Sequence, residues 1–148
     1  MDYTGQSSGG NKKSRIDSQN IVVSCQYKTF MPIQKFEDIL AWQRAHQLTL
    51  LVYALTKQFP KEELFGLVIQ VRRAVVSIAS NIAEGFKRRT KNDSAHFYNI
   101  AQGSLEEVKY QLLLAKDLNY IRIADYQETV SVMDDVGKLL TGWIKNLK

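Results

Sequence analysis

Between Gln70 and Arg88 the sequence QVRRAVVSIASNIAEGFKR carries two apolar stripes and one polar stripe on a single helical period. Steps of four and three residues connect Leu64, Val68, Val71, Val75, Ile78 and Ile82, and a second path connects Phe65, Ile69, Val76, Ala79 and Ala83. The third path is polar: Gln70, Arg73, Ser77, Ser80 or Asn81, then Glu84. A surface helix needs one apolar face, so a helix apolar on two has to be covered by more than one neighbour. The spacing predicts a central helix over about Glu62 or Leu64 to Phe86. It also predicts that three companions from the same chain leave part of its apolar circumference unsheltered, so that copies of the chain join.

Three further segments share the period. The first, Phe36 to Lys57, places Ala41, Ala45, Leu48, Val52 and Leu55 on one seam, and Phe59–Pro60 ends it. The third opens at Thr90, Lys91, Asn92 and Asp93, the residue types of a capping box, and carries Phe97, Ala101, Ser104, Val108, Leu112 and Ala115 to about Leu118. The fourth, Asp125 to Asn146, carries Tyr126, Val130, Met133, Gly137, Leu140, Ile144 and Leu147. Gly103 and Gly137 interrupt two of these helices at about 1 kcal/mol each relative to Ala. Close helix approach recovers that cost; a glycine tolerated on a wet face does not. No stretch alternates with period two for long enough to make a sheet. Short connections make consecutive helices neighbours, so the expected fold is an all-α, antiparallel up-and-down four-helix bundle, homo-oligomeric through the second helix.

The 148 residues fit one bundle domain, 35–148, preceded by a flexible basic N-terminal extension, 1–34. Of the net charge of +5, +3 falls in residues 1–35, so the body is nearly balanced and any anionic partner must use a local patch. Met31, just before Pro32, is an alternative start for the folded unit. One cysteine, Cys25, excludes an internal disulfide and points to a reducing compartment; with only His46 and His96 beside it, a structural zinc site is not expected. Val22, Val23, Ser24 and Cys25 have the residue types of a lipoprotein cleavage box, but SRIDSQNI before them is too polar for a signal peptide. No apolar run reaches the ~18 residues that span a bilayer. The expectation is a cytoplasmic protein with no membrane association and no cofactor.

At FEDILAWQRA (Phe36 to Ala45), FPKEELFGL (Phe59 to Leu67), VRRAVVSIASNIAEG (Val71 to Gly85) and IAQGSLEEVKYQLLLA (Ile100 to Ala115), the chain resembles the bacterial 23S ribosomal RNA intervening-sequence proteins. The resemblance covers essentially all of residues 36–148. It implies a homopentamer of four-helix bundles without catalytic activity. Related proteins, the accessory variability determinants of diversity-generating retroelements, associate with a reverse transcriptase and with RNA or DNA through basic surfaces, which makes that a second reading of this chain. Two departures stand out. Family members commonly have Pro where this chain has Ala79, and a Ser or Thr cap where it has Ile123 and Ala124, so the fourth helix is expected to fray at its start.

Two groups of residues are candidates for function. Lys87, Arg88, Arg89 and Lys91 put four cations into five positions at the second interhelical junction. Alone such a run is a solvated loop; repeated around a ring of subunits it is a multivalent surface for nucleic acid. Lys12, Lys13 and Arg15 add a basic arm. The polar stripe is the second group. Gln70, Arg73, Ser77, Asn81 and Glu84, with Ser104 and Glu107 of the third helix, are expected to form a structural hydrogen-bonded network that fixes helix register. Its alternatives are a ligand contact or a polar pocket of Arg73, Asn81 and Glu84 in a small enzyme. Trp42 and Trp143 are expected as core or interface anchors. No Glu is followed three residues later by His, which excludes the di-iron motif of helical bundles, and neither a phosphate loop nor a nucleophile elbow is present.

Overall fold

The computed structural model describes residues 32–147, and everything below belongs to the unit that begins at Ile33. The extension at residues 1–31, with Lys12, Lys13, Arg15, Cys25 and Met31, lies outside the described residues. Four α-helices follow in order: α1 (Leu40–Thr56), α2 (Leu67–Phe86), α3 (Lys91–Asp117) and α4 (Ile123–Lys145). Among the described residues there is no strand. Helix α1 packs on α2 and α4, α3 packs on α2 and α4, and the α2–α3 contact is the most extensive.

The first two helices begin later than their apolar spacing predicts. Phe36–Asp38 is a separate 3-10 turn, and Ile39 breaks into extended backbone (φ −77°, ψ 120°) before α1 starts. Asp38 holds this break, its Oδ2 accepting from the backbone N–H groups of Gln34 (3.1 Å) and Lys35 (3.2 Å). Lys61–Glu63 is a second 3-10 turn, and Gly66 (φ −110°, ψ −112°) interrupts the chain ahead of α2. Leu64 and Phe65 therefore precede the helix, and Phe65 is 86% exposed. The start of α2 is secured instead by Glu63, whose Oε2 accepts from Leu67 N–H at 2.9 Å while Oε1 accepts from the Tyr120 hydroxyl at 3.1 Å. The first orphan amide of the helix is thereby satisfied, and the α1–α2 and α3–α4 connections are joined.

Helix α3 opens as expected at Thr90, whose Oγ1 accepts from Asp93 N–H (3.1 Å) and donates to Asp93 Oδ2 (2.7 Å). It closes on Asn119, which adopts φ 59°: Asn119 N–H reaches Lys116 O and Tyr120 N–H reaches Ala115 O, both at 2.9 Å. This pair of bonds is a Schellman motif with asparagine in its left-handed position. Helix α4 begins at Ile123, two residues before the sequence expectation. No side chain caps it, but Arg122 grips Asp125 through Nε (2.8 Å) and Nη2 (3.0 Å), so Ile123 and Ala124 lie inside the first turn.

The core is built on the predicted seams. Ala45, Leu48 and Val52 of α1, Val71, Val75, Ile78 and Ile82 of α2, and Met133 and Leu140 of α4 are buried together. Each large aliphatic side chain so buried contributes about 1.5–3 kcal/mol. In α3 the predicted Ala101, Val108, Leu112 and Ala115 are buried, but at two places the neighbouring position takes over: Tyr98 and Leu105 are buried, while Phe97 and Ser104 are half-buried. A second cluster of Leu55, Phe59, Leu67, Val68, Ala115 and Ile121 closes the end of the bundle under Glu63 and Tyr120. Gly103 makes no close approach, since a Cβ there would meet nothing within 4 Å; at Gly137 the nearest atom is Leu105 Cδ2 at an ordinary 3.5 Å. Gly85, by contrast, does serve close packing between helices, against the ring of Tyr98.

Inter-helix pairs run in opposite numerical order along neighbouring helices. On α2 and α3 they are Ser77 with Ser104 and Gly85 with Tyr98; on α3 and α4 they are Tyr98 with Trp143, Gln102 with Thr141 and Leu105 with Gly137.

Candidate nucleic-acid interface

Helix α2 ends when Lys87 N–H turns back to Glu84 O (3.1 Å) and Arg88 N–H to Gly85 O (3.3 Å), and four residues later α3 has begun. This tight reversal leaves Lys87, Arg88, Arg89 and Lys91 all exposed at one end of the bundle. They are not equivalent. The Arg88 guanidinium pairs with Glu84 and lies 4.2 Å from the centroid of the Phe97 ring. Lys87 Nζ stands 5.9 Å from the Phe86 ring centroid, and neither Lys87, Arg89 nor Lys91 makes an ion pair among the described residues. Glu84 offsets one of the four charges, and Arg88 acts as a strut between α2 and α3. His96, also exposed, meets Phe97 edge-on with 5.6 Å between centroids.

The polar stripe divides into separate contacts. Ser77 and Ser104 share a 2.9 Å hydroxyl hydrogen bond, and Asn81 Nδ2 donates to Ser77 O (2.8 Å) and Oγ (3.0 Å). The serine pair bridges α2 and α3, and Asn81 backs it from one turn along α2. Glu84 instead pairs with Arg88, and exposed Glu107 accepts from Gln111 Nε2 at 3.1 Å. Gln70 and Arg73 are exposed to solvent. The seven residues are thus not one network: the long side chains reach solvent, where no desolvation cost demands pairing.

The second apolar path of α2 lies along a trough shared with α1. One stretch, about 510 Å³, is lined by Tyr53, Ile69, Arg72, Arg73, Val76 and Ser77; the next, about 260 Å³, is lined by Phe36, Trp42, His46, Ala79 and Ala83 among others and shares Val76. Ile69 and Val76 are 38% and 40% exposed. Arg72, which the stripe pattern did not single out, braces the trough: its Nε donates to Thr56 Oγ1 at 2.9 Å, and its guanidinium sits 4.6 Å over the Tyr53 ring. Trp42 stacks on His46 (5.1 Å, 8°) and is half-buried against the core, as is Trp143.

Among the described residues no three His, Cys, Asp or Glu side chains group as metal ligands, and no helix is long and apolar enough to cross a membrane. Residues 37–142, well over half of the chain, match the 23S rRNA-intervening sequence protein family. The chain belongs to that family. Its fold is also that of a crystal structure of a protein of unknown function from the S23 ribosomal protein family of Bacteroides thetaiotaomicron VPI-5482, with a TM-score of 0.66 at 23% identity over 72% of this chain and 99% of that one. No curated protein matches the chain. In this 23S rRNA-intervening sequence protein, α2 runs without interruption through Ala79, from Leu67 to Phe86. The basic junction therefore follows directly on the continuous helix that carries the apolar outer side.

Proposed function

We propose that this protein is a non-enzymatic homo-oligomeric scaffold, five copies of an antiparallel up-and-down bundle, that binds RNA through the junctions carrying Lys87, Arg88, Arg89 and Lys91. The observation that carries this reading is their placement at the end of the helix whose outer side keeps Ile69 and Val76 exposed. Assembly through α2 covers that apolar side and gathers one basic junction per copy at the same end of the particle. Each phosphate contact is weak, and several on one particle act together. The antiparallel order is supported by the opposed numbering of the inter-helix pairs, and the five copies by the family resemblance. The same reading makes the protein cytoplasmic and independent of cofactors.

The test replaces Lys87, Arg89 and Lys91 with Glu in the full chain and leaves Arg88 to brace the junction. Retention of a single-stranded RNA is then followed through a salt titration, with sedimentation run in parallel. The expected result is RNA affinity at least tenfold lower and a shallower salt dependence, with unchanged sedimentation. Equal affinity and slope in the variant, or no RNA retention by the native protein at low salt, overturns the reading.

A further inference from the structure

We infer that an RNA strand held at the basic junction runs on into the groove between α3 and α4, with its phosphates on Lys91, Lys145 and Lys138. The inference rests on the RNA-binding reading above and adds a second, separate contact surface to it.

The groove, about 780 Å³, is lined by Gln102 and Lys109 of α3 and by Asp134, Lys138, Thr141 and Lys145 of α4, among others. The four α4 residues recur at steps of four, three and four, so they form one line along that helix. Lys91 and Lys109 share a side of α3, because the eighteen residues between them make about five full turns. Gln102 Nε2 donates to Thr141 Oγ1 at 3.3 Å and links the two walls. That bond leaves the threonine hydroxyl hydrogen and the second amide hydrogen of Gln102 to donate to a phosphate oxygen.

The order along the groove follows from contacts between its walls. Tyr98 meets Trp143, Gln102 meets Thr141, and Leu105 lies at the nearest approach to Gly137. Lys145 therefore stands near the level of Phe97, and Lys138 near that of Ser104. Measured down the axis from Lys91, Lys145 comes after about 9 Å and Lys138 after about 10 Å more. All three lysines are exposed, and none makes an ion pair among the described residues. Past Lys138 the charge is offset: Lys109 is held by Glu106 at 2.7 Å, and Asp134 stands near their level. The cationic stretch thus starts at the junction and stops after about 20 Å. Cations in a row, with neutral donors between them, suit the repeating charge of a nucleic-acid backbone better than a single small anion.

The test uses the full chain and a single-stranded oligouridylate of about 15 nucleotides, long enough to leave the junction. Lys138→Glu with Lys145→Glu is compared with Lys57→Glu and Lys61→Glu, which make the same charge change at the opposite end of the bundle. The groove variant is expected to lose affinity at least tenfold and to show a salt slope shallower by about one to two, while the control changes affinity by less than about threefold. Lys138→Gln with Lys145→Gln should fall between the native protein and the Glu variant. Ultraviolet crosslinking of the bound strand should label the α4 peptide that carries Thr141 as well as the junction. Equal affinities in the groove and control variants, or crosslinks confined to residues 87–91, overturn the groove path and leave the junction reading standing. A native protein that retains no RNA at low salt overturns both.

Discussion

Tyr98 lies so close across Gly85 that a Cβ at position 85 would stand 2.5 Å from its Cε1 and 2.9 Å from its Cδ1. The ring is 1% exposed and meets the indole of Trp143 edge-on at 6.4 Å, so it has nowhere to retreat. Burial pushes the phenol up from its ordinary value, and the Trp143 indole pulls it only partly back. The Trp143 Nε1 is itself buried and, among the described residues, finds no hydrogen-bond partner of ordinary geometry. Glycine at 85 is thus what allows α2 to run through to the basic junction while α3 packs against it.

Gly85→Ala is expected to destabilise by about 1–3 kcal/mol in urea unfolding despite alanine's better helix propensity, because overpacking outweighs it. Gly142, where a Cβ meets nothing within 4 Å, is the control. Gly142→Ala should stabilise by up to ~1 kcal/mol. Equal effects at the two positions would remove the packing argument.

Glu63 joins two ends of the bundle, so its removal should be felt at both. Glu63→Ala should cost about 1–2 kcal/mol, in the range of a lost helix cap. Burial, followed by the Glu63 hydrogen bond, pushes the Tyr120 phenol above its ordinary value of 10.0. A group raised in this way contributes stability below pH ~10 that is lost as pH rises through its folded value. In the Glu63→Ala variant the ultraviolet titration of tyrosine should therefore show one phenol ionising at lower pH than in the native protein.

Asn119 occupies a left-handed position that β-branched residues resist. Asn119→Val should lower stability by about 1–2 kcal/mol, while Asn119→Gly should match or exceed the native protein. Thermal melts of the pair provide the comparison, and a valine variant as stable as the glycine variant would contradict the Schellman geometry.

The Arg122–Asp125 pair replaces the missing cap of α4. Its hydrogen bonds hold the Asp125 carboxyl below the usual carboxylate range, so the stability it supplies is present above pH ~4 and lost as pH falls through that depressed value. Arg122→Ala should therefore lower the melting temperature at pH 7, with an effect that shrinks as pH falls through the depressed Asp125 value.

Periodicity made the interior of the helices legible. Val71, Val75, Ile78 and Ile82 were traceable as one lane of α2 because aliphatic side chains at steps of four and three share a face, and Thr90 was legible because a hydroxyl ahead of a helix has few other uses. The starts of α1 and α2 were not, because Asp38 and Glu63 stop the helical pattern through hydrogen bonds that apolar spacing does not encode. In α3, Phe97–Ala101–Ser104 and Tyr98–Ala101–Leu105 are adjacent lanes of one helix, and only packing against Gly85 and Trp143 chooses between them. The basic run was visible as charge, yet the different role of Arg88 depends on Glu84 one turn back and Phe97 on the next helix. Spacing alone groups the polar stripe into a single network because it ignores side-chain length: Ser77 and Asn81 are half-buried and bonded to each other, and Arg73 is exposed.

The account depends on the outer side of α2 being covered by another copy. Sedimentation velocity of the full chain over a hundredfold range of concentration measures this directly. The expected result is a particle several times the 17.0 kDa chain mass that persists on dilution. A well-folded 17.0 kDa species at every concentration would contradict it.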